Sequence, residues 1–189
     1  MNTFLDIFDS PASQKKQLIA TAFQVLGGSL FLALTAQIVI PLYPVPITMQ
    51  TFGLIALSFF LGGKKASLSA LTYLAFLSLG LPFLAGGKAS ALWFAMPRAG
   101  YLAAFPLSAY LMGTIKERMK RGGVASFLTA TLAGEALIFF LGILGLTSTF
   151  SLQESLAVGL LPFLPIEGIK IGAALLLIST WKQIKKSKV

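Results

Sequence analysis

The chain has 189 residues, of which 56% are hydrophobic and 11% charged, with a mean hydropathy of +0.85; a soluble domain carries about 25% charge, so this composition belongs in a bilayer. It contains no Cys and no His, which excludes thiol chemistry, Cys/His zinc sites and any His-dependent catalytic set. A net charge of +9 would suggest nucleic acid for a soluble chain, but in a membrane protein the positions of the cations matter more than their sum.

Residues 1–14 read as a polar tail, with Asp6 and Asp9 ahead of Lys15 and Lys16; a cleavable leader would place its cations first. Leu18 to Ile40 is an uncharged run of 23 residues, long enough for a first span, with a small-residue stripe at Gly27, Gly28, Ser29 and Ala33. Pro41, Pro44 and Pro46 then forbid helix and predict a shaped loop. Apolar runs follow at 47–61 and 66–79, separated by Gly62-Gly-Lys-Lys65.

The longest irregular region, Gly80 to Gly100, holds Phe83, Trp93 and Phe94, which argue for a structured loop. Further runs cover Tyr101–Ile115 and Val124–Leu146, the second interrupted only by Glu135. A polar loop over Thr147–Ser155 precedes a last run, bent at Pro162 and Pro165, that continues to Trp181 and a basic tail at 182–189. The fold class that follows is an all-α integral membrane protein: one domain over 1–189, a bundle of six transmembrane helices with a structured outer loop between the third and fourth.

On a six-helix path that starts inside, twelve of the fifteen cations fall on inner segments: Lys15, Lys16, Lys64, Lys65, Lys116, Arg118, Lys120, Arg121, Lys182, Lys185, Lys186 and Lys188. That asymmetry predicts cytoplasmic termini. Lys88, Arg98 and Lys170 are left over, on the outer side or in the adjoining helix ends; of the acids, Glu135, Glu154 and Glu167 do not fall on the inner segments, Glu135 standing in the middle of the fifth run. Glu154 reads as a solvated loop charge.

An ion inside the hydrocarbon costs about 2.5–3.5 kcal/mol on insertion scales. Glu135 is therefore expected to face the bundle interior, as pocket wall or in a structural pair. Glu167 and Lys170, three residues apart, project from one face of a helix beginning near Pro165. They either neutralise each other at the membrane edge or line a pocket for a polar, anionic ligand. In the second reading Arg98 and Lys170 donate to an anionic group, Glu167 accepts from a polar N–H, and aromatic residues hold an apolar body. Gly168-Ile-Lys-Ile-Gly172 predicts close packing with a neighbouring helix. The phosphate-loop pattern is absent, so nucleotide hydrolysis is not expected of this chain.

Four stretches in register, Pro44-Val-Pro-Ile-Thr-Met-Gln-Thr-Phe52, Gly80-Leu-Pro-Phe-Leu-Ala-Gly-Gly87, Pro97-Arg-Ala-Gly-Tyr-Leu102 and Leu161-Pro-Phe-Leu-Pro-Ile-Glu-Gly-Ile-Lys170, resemble the BioY family, the biotin-binding substrate component of energy-coupling factor transporters. The resemblance implies a non-enzymatic subunit of a bacterial cell membrane that captures biotin from outside. It implies as partners a transmembrane coupling protein and two ATPases, with no cofactor and no nucleic acid. The substrate-binding candidates are Arg98, Glu167, Lys170, Gln50, Tyr101, Phe83, Tyr43 and Trp93. The family typically has Asp where this chain has Glu167. Its Ala-xxx-Ala signature for docking the coupling protein finds its nearest match in Ser29-xxx-Ala33. The alternatives are a binding subunit for another vitamin and a structural or assembly membrane protein.

Overall fold

A computed structural model describes residues 11–119 and 123–187. Expectations for Asp6, Asp9, Lys120, Arg121 and Lys188 lie outside the described residues. The described chain is mostly helical: α1 (Pro11–Thr35), α2 (Gln50–Leu61), α3 (Gly63–Ser78), α4 (Ala99–Arg118), α5 (Val124–Leu146), α6 (Leu152–Gly159) and α7 (Leu164–Ser187). Among the described residues, three stretches are long and apolar enough to cross a membrane, Ser13–Thr35, Val124–Leu146 and Leu164–Trp181. The 12 residues of α2 rise only about 18 Å, less than a bilayer core.

The first helix stops earlier than its hydrophobicity suggests. Ile38-Val-Ile40 is β-branched and precedes Pro41, which disfavours helix in the residue before it. Val39–Ile40 (β1) instead pairs antiparallel with Ile47–Thr48 (β2), closing a small hairpin around the three prolines and the cis Tyr43–Pro44 bond. The last apolar run is likewise two helices. Ser151 caps α6 through a reciprocal pair of hydrogen bonds with Glu154, Pro162 lies in the break, and Pro165 sits in the first turn of α7, where its missing N–H costs nothing. The loop between α3 and α4 contains two short 3₁₀ turns, Ala85–Gly87 and Trp93–Ala95.

Central in the bundle, α4 packs against α2, α3 and α5; α1 leans on α3 and α2, and α7 on α2. Two glycines allow the α3–α4 approach, since a Cβ on Gly113 would collide with the Gly63 backbone. At the junction of α2 and α3 the Gly63 N–H donates to Glu117 at 3.1 Å, and Lys65 donates to Gln24 of α1 at 2.7 Å. The basic clusters at 64–65 and 116–118 therefore share one end of the bundle. The starts of α2, α4 and α7 lie at the other.

Two small-residue expectations are corrected. Gly168 and Gly172 face away from the bundle: a Cβ at either position would meet nothing within 4 Å, so they pack against no described helix. Ser29 and Ala33 are buried at 0% and 5% exposure, and a Cβ on neighbouring Gly28 would strike Ser69 of α3. Gly28 gives α1 the close approach to α3 that the stripe predicts, Gly27 faces outward with nothing within 4 Å of its Cβ position, and Ser29-xxx-Ala33 faces the bundle and is not exposed for docking.

Candidate ligand-binding site

Where α2, α4 and α7 begin, their first turns and the second half of α5 surround a hollow of about 600 Å³, open mouth included. The β1–β2 hairpin supplies Val45, Pro46 and Thr48 to its wall, and the loop before α4 supplies Leu84 and Ala85. Proline geometry sets this arrangement. The turn through Pro44 and Pro46 sends Val45 and Ile47 inward, at 5% and 3% exposure, and Tyr43 outward.

Buried polar groups at one end of the hollow form a closed triangle. Lys170 donates to Glu167 at 2.6 Å and to Thr51 of α2 at 3.0 Å, while the Thr51 hydroxyl donates to the second Glu167 oxygen at 2.9 Å. The one-turn spacing of Glu167 and Lys170 on α7 makes the pair, and Thr51 ties it to α2. Neutralisation and pocket lining, posed as alternatives from the sequence, are both present. A buried ion pair is tolerated only when further hydrogen bonds satisfy its partners, and Thr51 contributes two of them.

Gln50 is held from several directions: it donates to Tyr73 at 2.9 Å and its carbonyl accepts from Thr48 at 3.2 Å. Tyr73 in turn donates to the Phe83 carbonyl at 3.0 Å. The apolar wall is aromatic. Tyr101 stacks on Phe163 with ring centroids 6.3 Å apart, and Phe139 stands edge-on to both. The Tyr101 hydroxyl donates to the Gly159 carbonyl at 2.8 Å, so the cavity meets its ring. Gly142 gives that ring its seat, because a Cβ there would overlap it.

Arg98, just before α4, lines this hollow and also a second one, of about 580 Å³, bounded by Tyr43, Pro44 and Lys88. It makes no ion pair with any described residue. The main hollow is thus lined by two cations, Arg98 and Lys170, and one carboxylate, Glu167.

Five of the eight candidates, Arg98, Glu167, Lys170, Gln50 and Tyr101, line the main hollow. The other three do not. Trp93 is buried against α3, where its indole N–H donates to Ser78 at 3.0 Å and so anchors the loop. Phe83 offers its carbonyl to Tyr73 and its ring to Phe76. Tyr43 is 85% exposed on the second hollow. Sequence reasoning missed Thr51, Phe105, Ile138, Phe139 and Phe163; Thr51 follows Gln50 in a Thr-Met-Gln-Thr motif already singled out, and its place in the first turn of α2 was the available signal.

A helical membrane protein with a polar-ended, aromatic-walled cavity at one end of its bundle is the class these features define. Residues 10–187 match a family model described as the BioY family. The chain belongs to the BioY family. It is 32% identical over 166 residues to the biotin transporter BioY of Thermotoga maritima, covering 86% of this chain and 97% of that protein. It is 33% identical over 176 residues to the biotin transporter BioY of Rhodobacter capsulatus, covering 86% and 92% respectively. The fold is similar to a crystal structure of the S-component for biotin from an ECF-type ABC transporter, with a TM-score of 0.77 and 27% identity over 93% of this chain and 95% of that one.

Proposed function

We propose that this chain captures biotin and serves as the substrate-specific subunit of an ATP-driven vitamin importer in a bacterial cell membrane. The observation that carries the reading is the set of charges on the cavity wall: Arg98, without an acid partner among the described residues, and the hydrogen-bonded Glu167–Lys170–Thr51 triangle. Biotin offers a carboxylate, a flexible apolar chain and a cyclic urea. The carboxylate pairs with Arg98, the chain lies along Tyr101, Phe139 and Phe163, and the urea meets Glu167 with its N–H and Lys170 or Thr51 with its carbonyl. The names of the relatives support the same ligand.

In this reading α1 to α5 and α7 are the six membrane segments, α2 being too short to cross the bilayer core by itself, and α6 joins α5 to α7. Because the basic clusters gather at the opposite end, that end faces the cytoplasm and the cavity opens outward. The sequence carries no phosphate loop, so ATP hydrolysis falls to two partner ATPases, joined through a transmembrane coupling protein. Equilibrium binding of labelled biotin to the detergent-purified chain, competed with a panel of other vitamins, tests the reading. Displacement by unlabelled biotin alone supports it; retention of a different vitamin, or of none, overturns it.

A further inference from the structure

Two charged residues that stand out in the sequence lie outside the main hollow. Glu135, in the middle of α5, is 4% exposed and makes no ion pair with any described residue, so it is neither the pocket wall nor the close pair that its position suggested. Lys88, in the loop before α4, lines the second hollow instead, together with Arg98. The two hollows share Arg98, Pro46 and Ala85 as walls, which makes them neighbours with one guanidinium at their border. A ligand end held by Arg98 therefore stands beside the second hollow.

A tight turn fixes the backbone that carries Lys88. Gly86 and Gly87 both have left-handed φ, 70° and 73°, which residues with a Cβ rarely adopt. The Leu84 N–H donates to the Lys88 carbonyl and the Gly87 N–H to the Leu84 carbonyl, each at 3.0 Å, and these two bonds close the turn. The Gly86 N–H donates to the Ala36 carbonyl at 3.4 Å, which ties the turn to the chain just past α1. Among the described residues, no Asp or Glu lines the second hollow, and neither Lys88 nor Arg98 makes an ion pair. The hairpin adds an apolar wall through Pro41, Leu42 and Pro44. Two unpaired cations above an apolar wall fit a short hydrocarbon spacer that ends in an anion.

We propose that the second hollow is a subsite for ligands longer than biotin: biotin amides whose added spacer carries a carboxylate, as in biotinyl amino acids and short biotinyl peptides. In such a ligand the biotin carboxyl has become an uncharged amide beside Arg98, and the new terminal carboxylate meets Lys88. Free biotin, whose own carboxylate ends at Arg98, leaves Lys88 unused. Lys88 thus decides which biotin conjugates are accepted and adds nothing to the grip on biotin itself. The inference rests on the biotin reading above and deepens it.

The test titrates the full-length parent and Lys88→Gln, both in low-salt detergent buffer, with biotin, with biotinyl-glycine and biotinyl-γ-aminobutyrate, and with the terminal carboxamides of both conjugates. Lys88 is exposed, so its replacement disturbs no packing. The parent should bind at least one conjugate acid about threefold or more tightly than its carboxamide, the scale of a solvent-exposed ion pair. Lys88→Gln should cut that preference at least about twofold and hold free biotin within about twofold of the parent. A smaller preference with both spacers, a smaller cut, or biotin itself weakened as much as the conjugate acid overturns the assignment. The comparison of acid with carboxamide on the parent needs no variant. A parent that binds biotin but neither conjugate acid overturns this assignment alone, whereas a parent that binds no biotin defeats the biotin reading and this assignment with it.

Discussion

Thr51 and Glu167, separated by 116 positions in the chain, share a 2.9 Å hydrogen bond that joins the first turn of α2 to the first turn of α7. The same threonine oxygen accepts from Lys170 at 3.0 Å. One short side chain thereby fixes both charges and the relative position of two helices at the cavity. Thr51→Val removes both bonds while keeping the volume. Since a lost bond to a charged group costs about 1.5–3 kcal/mol, the variant should lose at least about 1 kcal/mol of stability and bind biotin roughly tenfold more weakly, read by thermal unfolding and titration calorimetry.

Arg98 should act on the ligand's carboxylate alone. Arg98→Ala is expected to weaken biotin about tenfold or more and to leave the uncharged biotin amide nearly unaffected. Comparing the two ligands on parent and variant checks this. An equal loss for both would detach Arg98 from the carboxylate.

Gly142 and Tyr101 set the aromatic wall. A methyl group at Gly142 would overlap the Tyr101 ring, and that ring cannot swing away without giving up its bond to the Gly159 carbonyl. Gly142→Ala should therefore destabilise the fold by about 1–3 kcal/mol, the usual cost of overpacking, and reduce affinity as the Tyr101–Phe163 stack shifts. Unfolding and binding measured together report both effects.

Outside the spanning helices, the Ser151 hydroxyl and, after it, the Ser151 backbone N–H hold the Glu154 carboxyl below the usual carboxylate range. A depressed folded pKa means that the cap stabilises α6 above the ordinary Glu range and that this contribution is lost as pH falls through the folded value. The protection factors of the amides in the first turn of α6, taken relative to intrinsic exchange at each pH, should fall across that acidic window. Ser151→Ala should show low protection there at every pH.

Much of this architecture is legible in the sequence because membrane burial makes charge conspicuous. Arg98, Glu167 and Lys170 stand out as ions in apolar sequence, and all three line one cavity. Aromatic residues carry no such mark. Trp93 and Phe83 read as walls, yet Trp93 is needed to pin a loop through Ser78 and Phe83 serves Tyr73 through its backbone, while of the rings that do line the cavity Phe139 sits in uniformly apolar sequence and Phe163, inside the Leu161–Lys170 stretch, is overshadowed there by the charges beside it. Helix ends are hidden for a different reason. Hydrophobicity continues past Thr35 and through Leu160, but β-branching before Pro41 and the Ser151 cap decide where helices stop and begin.

The central claim is that ions stranded at one end of the bundle grip a guest molecule, and titrating biotin into the purified parent beside Lys170→Ala tests it most directly. The parent should saturate at about one biotin per chain, with Lys170→Ala weaker by about tenfold or more. Equal affinity in the two proteins, or no saturable binding to a folded parent, would contradict the account.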